Sequence, residues 1–453
     1  MSLSKFESML KTNNVYFFDS VEFEEIIQHY LDSGKHSLAK KAVKLGLEQH
    51  PSSIILKLLK VELLVFEDKL EKAVKWLSEV EAVEPHNEEV FIQKAIILSK
   101  RGKHKKAVST LKKGLEYSNE PADIWSIMGM EYLYLDDFEN ARLSFEKCVA
   151  LDFEDYSSLY NVVYCFDMNN QHQEAATFLK EYIDKNPYSE VAWHQLGRQY
   201  FVLNNFEEAL KAFDYAVVID ESFIGGYLEK AKTLEKLDRY EEAIENYIIT
   251  TELDDPMAFA YIRIGKCFEK LKDADTAIKY YKKAVHEDPL LEKGWVLLAN
   301  LYYREKDYQK AVYYIGKALQ IDDTKASYWR KYADINLKLD FYEEAIKAFY
   351  KCIQLDDFAI EIYIGLADVL QFLGDFNDAL RVLIKAKRRY ENFAEIEYRL
   401  CGVFMILDEE AYSLTHLKNG LAIDFESHSI IKELYPTVFE KENVKKIISE
   451  YKI

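Results

Sequence analysis

The sequence predicts an all-α chain of helical hairpins repeated every 34 residues, and three observations lead to it. Glycine and proline are scarce, 15 and 7 in 453 residues, which leaves little turn material for sheets and favours helices joined by short loops. Apolar residues recur in one phase along nearly the whole chain. Between the apolar runs, Gly, Asn and Asp recur at a fixed position, and these types tolerate the left-handed conformation that ends a helix. Composition is otherwise ordinary for a globular protein, at 49% hydrophobic, 30% charged and 14% aromatic. Length alone would correspond to about three domains, but a continuous repeat replaces that count with a single array.

The elements follow in chain order. Ser4 to Leu10 is a short stretch expected to form a cap helix within an N-terminal cap segment, residues 1–19. From Ser20 onward each repeat can be numbered as slots 1 to 34. Slots 4, 8 and 11 share one face of a first helix, and slots 20, 24 and 27 share one face of a second. Slot 4 is large at Phe23, Phe91, Trp125, Leu159, Trp193, Tyr227, Tyr261, Trp295, Trp329 and Tyr363, lapsing at Lys57 and Glu397. Slot 20 is stricter: alanine runs without insertion or deletion from Ala39 through Ala209 to Ala379, and Ser413 follows. Slot 8 is mostly small (Gly129, Gly197, Gly265, Ala299, Ala333), which is expected to set it against the slot 20 alanine and let the two axes approach. Slot 24 is bulky (Phe145, Phe213, Tyr247, Tyr281, Phe349), and slot 27 is often small (Ala216, Ala284, Ala318, Ala386), leaving room for the next hairpin. No single hairpin can bury its own apolar faces, so its neighbours must.

Turn chemistry supports the same register. Slot 15, between the helices, reads Gly34, Asp68, Gly102, Asp136, Asn170, Asn204, Asp238, Asp340, Gly374 and Asp408, with Lys272 and Lys306 as exceptions. Slot 32 carries Pro51, Pro85, Pro187 and Pro289, where a missing donor does no harm, and Asp255, Asp323 and Asp357 elsewhere. Residues 428–453 read as a degenerate repeat ending in a capping helix, with Val444, Ile447, Ile448 and Tyr451 as its apolar face and Pro436 breaking the helix before it.

At Trp193, Leu196, Gly197, Tyr200, Ala209, Phe213 and Ala216 the sequence resembles the tetratricopeptide repeat family, whose Trp-x-x-Leu-Gly-x-x-Tyr, Ala-x-x-x-Phe pattern has this period. The resemblance implies a right-handed α-α superhelical solenoid of twelve 34-residue hairpins over residues 20–427 with caps at both ends. It also implies a non-enzymatic scaffold or adaptor, in which first helices line a concave groove and slots 2, 5, 6, 9, 12 and 13 face a bound peptide.

Other classes of function find little support. A net charge of −19 disfavours long-range attraction to nucleic acid or anionic lipid. No apolar run approaches the ~18 residues of a membrane span, and Met1 to Ser20 holds no signal-peptide core, so a cytoplasmic chain without membrane contact is expected. Cys148, Cys165, Cys267, Cys352 and Cys401 form no Cys-x-x-Cys pair, and most occupy small packing slots, so they read as buried structural thiols. No phosphate loop, His-Glu-x-x-His or Gly-x-Ser-x-Gly is present, so neither catalytic residues, cofactor nor metal is expected. His36, His104 and His172 all fall at slot 17, but stacked helices about 8–10 Å apart cannot share a ligand at ~2 Å, and they read as exposed loop histidines.

What remains is a surface. The implied groove slots are apolar or aromatic first, at Leu58, Val65, Phe66, Ile92, Ile96, Met130, Leu133, Tyr134, Tyr160 and Tyr164. They become basic later, at Arg198, Lys232, Arg263 and Lys266, followed by Asn300. This pattern fits a protein or peptide partner with hydrophobic anchors and acidic residues. The plainer reading has some apolar slots packed between helices, with Lys232 and Lys266 neutralised by Glu235 and Glu269 on their own helices. The Lys and Asn clamp with which family co-chaperones hold a heat-shock chaperone's C-terminal tail is not assembled by any three consecutive repeats, so that ligand is disfavoured. Two other classes of function compete with the adaptor. One is RNA binding, with Tyr160 and Tyr164 stacking on bases, and the other is a self-assembling structural component.

Overall fold

A computed structural model describes residues 2–12, 16–253 and 258–451, and these form helices, turns and short loops without a strand. Asp255 lies outside the described residues, as do Met1, residues 13–15 of the cap segment and the last two residues. The chain divides into two compact units, residues 1–233 and 234–453.

The N-terminal unit opens with a helix, Ser2–Thr12, longer at both ends than the sequence pattern required. It buries Phe6 and Met9 against Phe18, Phe23 and Tyr30, with the Phe6 ring meeting Phe18 and Phe23 edge-on at 5.9 and 6.1 Å. Helical hairpins follow, beginning with Ser20–Asp32 and His36–Gln49, then Ile54–Phe66 and Leu70–Glu81. Most first helices of this unit start where a side chain satisfies an otherwise orphaned N–H, the exception being Ala122–Leu133, which follows Pro121. Asp19 and Glu22 form a reciprocal capping box, and Ser53, Asn87, Asp155 and Ser189 cap later first helices. First helices touch one another along the unit, Ser20–Asp32 on Ile54–Phe66, then Glu88–Lys100, then Ala122–Leu133, so slots that face away from the second helices form a shared surface.

Every slot 20 residue is fully buried, from Ala39 to Ala379 and at Ser413. The small residues at slot 8 turn out to answer chiefly the ring at slot 24. A Cβ on Gly129 or Gly197 would lie 2.6 Å from the ring of Phe145 or Phe213, and one on Gly265 would lie 2.5 Å from Tyr281. Contact with slot 20 is seen at Cys401, whose carbonyl accepts from the Ser413 hydroxyl at 2.7 Å.

All the slot 15 residues adopt positive φ, from +56° at Asp68 to +88° at Gly374. Lys272 and Lys306 do so too, at +63° and +62°, although lysine gains nothing locally from that conformation. The next residue's N–H then reaches back to the slot 11 carbonyl, as Lys35 to Tyr30 at 2.7 Å and Asp273 to Phe268 at 2.9 Å, closing a Schellman turn. One further left-handed residue, Asp356 at +59°, ends the helix Tyr342–Gln354 early in a second turn of this kind. The slot 31 aspartates Asp152 and Asp322 are extended instead.

In the C-terminal unit the lapse at slot 4 has a cause. Glu397 is 2% exposed and is held by Lys387 and His416, each at 2.6 Å. After the last hairpin, Ala394–Ile406 and Glu410–Ile423, come Ser429–Leu434, a four-residue turn of helix opened by Pro436, and Glu442–Tyr451. Val444 and Ile447 are buried, with Ile448 and Tyr451 packed beside them. Tyr435 sits against Gly402, where a Cβ would be 2.2 Å from its ring, and its hydroxyl hydrogen-bonds Gln371.

Candidate functional site

The implied ligand-facing slots divide by burial. In the N-terminal unit Phe66 (61% exposed), Tyr134 (61%), Tyr164 (47%), Tyr160 (42%) and Met130 (39%) stand in solvent on first helices. Leu58, Ile96 and Leu133 are half-buried, while Val65 and Ile92 are buried between helices. Large apolar side chains do not concentrate on a soluble surface without a covering partner or a local stack.

Part of that local stacking comes from the slot 17 histidines, which are not exposed loop residues. His36 stacks on Phe66 with centroids 4.1 Å apart, and His104 on Tyr134 at 5.0 Å. Each is the first residue of a second helix and half-buried against the slot 13 ring of the following hairpin. His104 also meets Glu131 at 2.9 Å, and His172 meets Gln199 at 2.9 Å. In the C-terminal unit Tyr342 and Phe372 make the same slot 17 to slot 13 contact at 4.7 Å, but tilted at 45°.

The basic slots differ in availability. Arg198 is exposed and donates to Gln195 at 3.2 Å. Lys232 pairs with Glu229 at 2.7 Å, not with Glu235. Glu235 instead accepts from Tyr247 at 2.6 Å and from Arg263 at 2.7 Å, which ties Arg263 into the packing of the C-terminal unit. Glu269 is likewise taken by Arg304 and Tyr281 and does not neutralise Lys266, which is exposed. Asn300 is half-buried. The slot 12 carboxylates do not serve the lysines three residues before them because they reach longer or phenolic partners on other helices, and Lys232 pairs three residues back instead.

Three carboxylates on this face, Glu62, Glu89 and Asp123, were readable from slots 9 and 2 but passed over beside their apolar neighbours. Burial, then the charge of Asp32, raises the Glu62 carboxyl above its ordinary value. Burial also raises that of Glu89, against a hydrogen bond from Gln93, with Glu62 and Asp123 adding to the rise. His194, at slot 5, lies between Phe213 and Phe223 with both ring nitrogens buried and unpaired. Burial, with Arg198 adding to it, pushes its pKa down to about 4.

All five cysteines are buried, and desolvation pushes the Cys165 and Cys267 thiols up to about 12, out of the reactive range. Among the described residues no group of three His, Cys, Asp or Glu could hold a metal ion, and no helix is long and apolar enough to cross a membrane.

Comparison with known proteins agrees with the repeat. A family model described as anaphase-promoting complex, cyclosome, subunit 3 matches residues 135–216 and 270–352, and a tetratricopeptide repeat model matches 228–291. The chain is similar to the C-terminal part of a TPR repeat-containing protein from Cytophaga hutchinsonii, at 17% identity over 53% of this chain and 98% of that one (TM-score 0.46). Yeast Tom70 is 16% identical over 95% and 99% of the two chains (TM-score 0.36). The APC/C hetero-tetramer Cut9-Hcn1 is 14% identical over 100% and 92% (TM-score 0.34). No curated protein matches the chain. The family models speak to the repeat alone: a tetratricopeptide repeat is matched at residues 228–291, and the alanine phase held from Ala39 to Ala379, with a left-handed turn in every hairpin, carries the same hairpin repeat along the chain.

Proposed function

We propose that the chain is a non-enzymatic adaptor whose N-terminal unit binds a peptide segment of a partner protein along its first helices. The observation that carries this is the set of exposed large side chains Phe66, Met130, Tyr134, Tyr160 and Tyr164 on that one face. Apolar anchors of the partner pack on these rings, and an acidic residue reaches Arg198 and Lys232. Arg263 of the C-terminal unit is held by Glu235 and contributes packing. In this reading the array is a right-handed solenoid of twelve hairpins over residues 20–427, capped by 1–19 and 428–453, in a cytoplasmic protein.

The test is affinity capture from native lysate with wild type, with Arg198 and Lys232 both changed to Glu, and with Tyr134 and Tyr160 both changed to Ala, followed by titration of the captured partner. The charge reversal is expected to weaken binding by about tenfold, more than 1 kcal/mol, and the alanine pair by at least as much. A partner that binds all three proteins equally would overturn the reading, and nucleic acid in the eluate would favour the RNA-binding alternative.

A further inference from the structure

A cleft of about 790 Å³ opens in the C-terminal unit among the helices Tyr308–Ile321, Ala326–Lys338 and Tyr342–Gln354, and none of its lining residues lies at slots 2, 5, 6, 9, 12 or 13. Its floor is Trp329, whose indole N–H donates to the Asp323 carbonyl at 2.8 Å, with Tyr332, Tyr350 and Leu319 around it.

The same chain shows what such a cleft is shaped to hold. At the corresponding place in the N-terminal unit Trp193 is covered by its own Tyr215, stacked at 4.4 Å with the planes 29° apart, and the space left is about 300 Å³. Trp295 is covered in turn by Tyr314, at 6.0 Å and 24°. At Trp329 neither covering position is aromatic: slot 26, filled by Tyr215 in the first case, is Lys351, and slot 23, filled by Tyr314 in the second, is Ala348. Tyr332 meets Trp329 only edge-on, at 81°. The cleft is opened further by Gly316, in the middle of its helix, where a Cβ would meet nothing within 4 Å. The equivalent position is lysine at Lys112, Lys180 and Lys282. A mid-helix glycine weakens a helix, and here no close contact requires one.

We propose that this cleft binds a segment of a partner protein that inserts an aromatic side chain over Trp329, in the place Tyr215 takes over Trp193, with a carboxylate of the same segment at Lys351. Of the two lysines at the cleft, Lys347 is paired with Glu344 at 2.7 Å, while Lys351 is left to the incoming segment. The offset stacking of two rings and an ion pair at the edge of a partly desolvated cleft together select an aromatic residue with acidic neighbours.

The experiment uses a blocked pentapeptide with tyrosine between aspartates, titrated calorimetrically into the full chain. Its controls are the same peptide with the tyrosine replaced by alanine and with the aspartates replaced by lysine. Binding of the first, at least tenfold tighter than either control, is expected. Lys351→Tyr, which restores the covering ring, and Gly316→Lys, which fills the opening with the residue found elsewhere, should each abolish it while leaving the thermal midpoint unchanged or raised. Tyr215→Ala should uncover Trp193 and add a second site. No binding to wild type, equal binding of the alanine peptide, or full binding to both filled variants would overturn the proposal. The outcome is independent of the first-helix face, because Arg198→Glu should leave this titration unchanged.

Discussion

Removing the Glu397 carboxylate should locally unfasten the end of the array. Glu397 is almost wholly buried and its two oxygens face Lys387 and His416, each at 2.6 Å, with the His416 ring stacked on Phe404 at 5.2 Å. Glu397→Ala leaves the Lys387 ammonium partly buried without its anion and opens a cavity. Breaking a buried pair in this way costs about 3–5 kcal/mol. Burial works against the charged carboxylate, but the hydrogen bonds and charges of His416 and Lys387 outweigh it and hold the Glu397 carboxyl below its ordinary value. The folded value thus lies below the unfolded one, so the stabilisation is present above the ordinary glutamate pKa and is lost as pH falls through the folded value. A long repeat array does not unfold in one step, so the assay is native-state hydrogen exchange of the amides in Ala394–Ile406 and Glu410–Ile423. At ~3 kcal/mol, protection there should drop by about two orders of magnitude. Glu397→Leu combined with Lys387→Met, which removes both charges and restores apolar volume, should recover most of it. Protection within twofold of wild type in Glu397→Ala, or a double variant no better than the single one, would refute the account.

Further consequences can be measured separately. Lys272→Gly and Lys306→Gly relieve a left-handed strain of about 1–2 kcal/mol that the flexibility of glycine only partly offsets, so each should raise the urea midpoint of the C-terminal unit. Gly265→Ala should do the opposite, losing about 1–3 kcal/mol, because its Cβ would stand 2.5 Å from Tyr281; an unchanged midpoint would show that the hairpin can open at no cost. His194 has a folded pKa near 4, below its unfolded value, so stability of the N-terminal unit should decline as pH falls from about 6.5 towards 4. His194→Phe should flatten that profile, and a slope that persists in the variant would place the titration elsewhere.

Sequence alone determined the hairpin, its length and its turns, because those depend on energies that recur at every repeat. A buried alanine at Ala209 or Ala277 and a left-handed Asn204 or Asp238 have the same local cause each time, so periodicity exposes them. Even the exceptional Lys272 was forced into the turn by the register of its neighbours. Tertiary structure decided everything that depends on reach. Long side chains choose among several partners on their own and on other helices, so Lys232 found Glu229 on its own helix, while Glu235 found Arg263 and Glu269 found Arg304 on others. His36 and His104 found rings one hairpin away. The cleft over Trp329 belongs to the same class. Whether a tryptophan at slot 4 is covered or bare depends on which of two positions on the facing helix carries a ring, and only packing shows that Tyr215 and Tyr314 reach theirs while Lys351 and Ala348 leave Trp329 open.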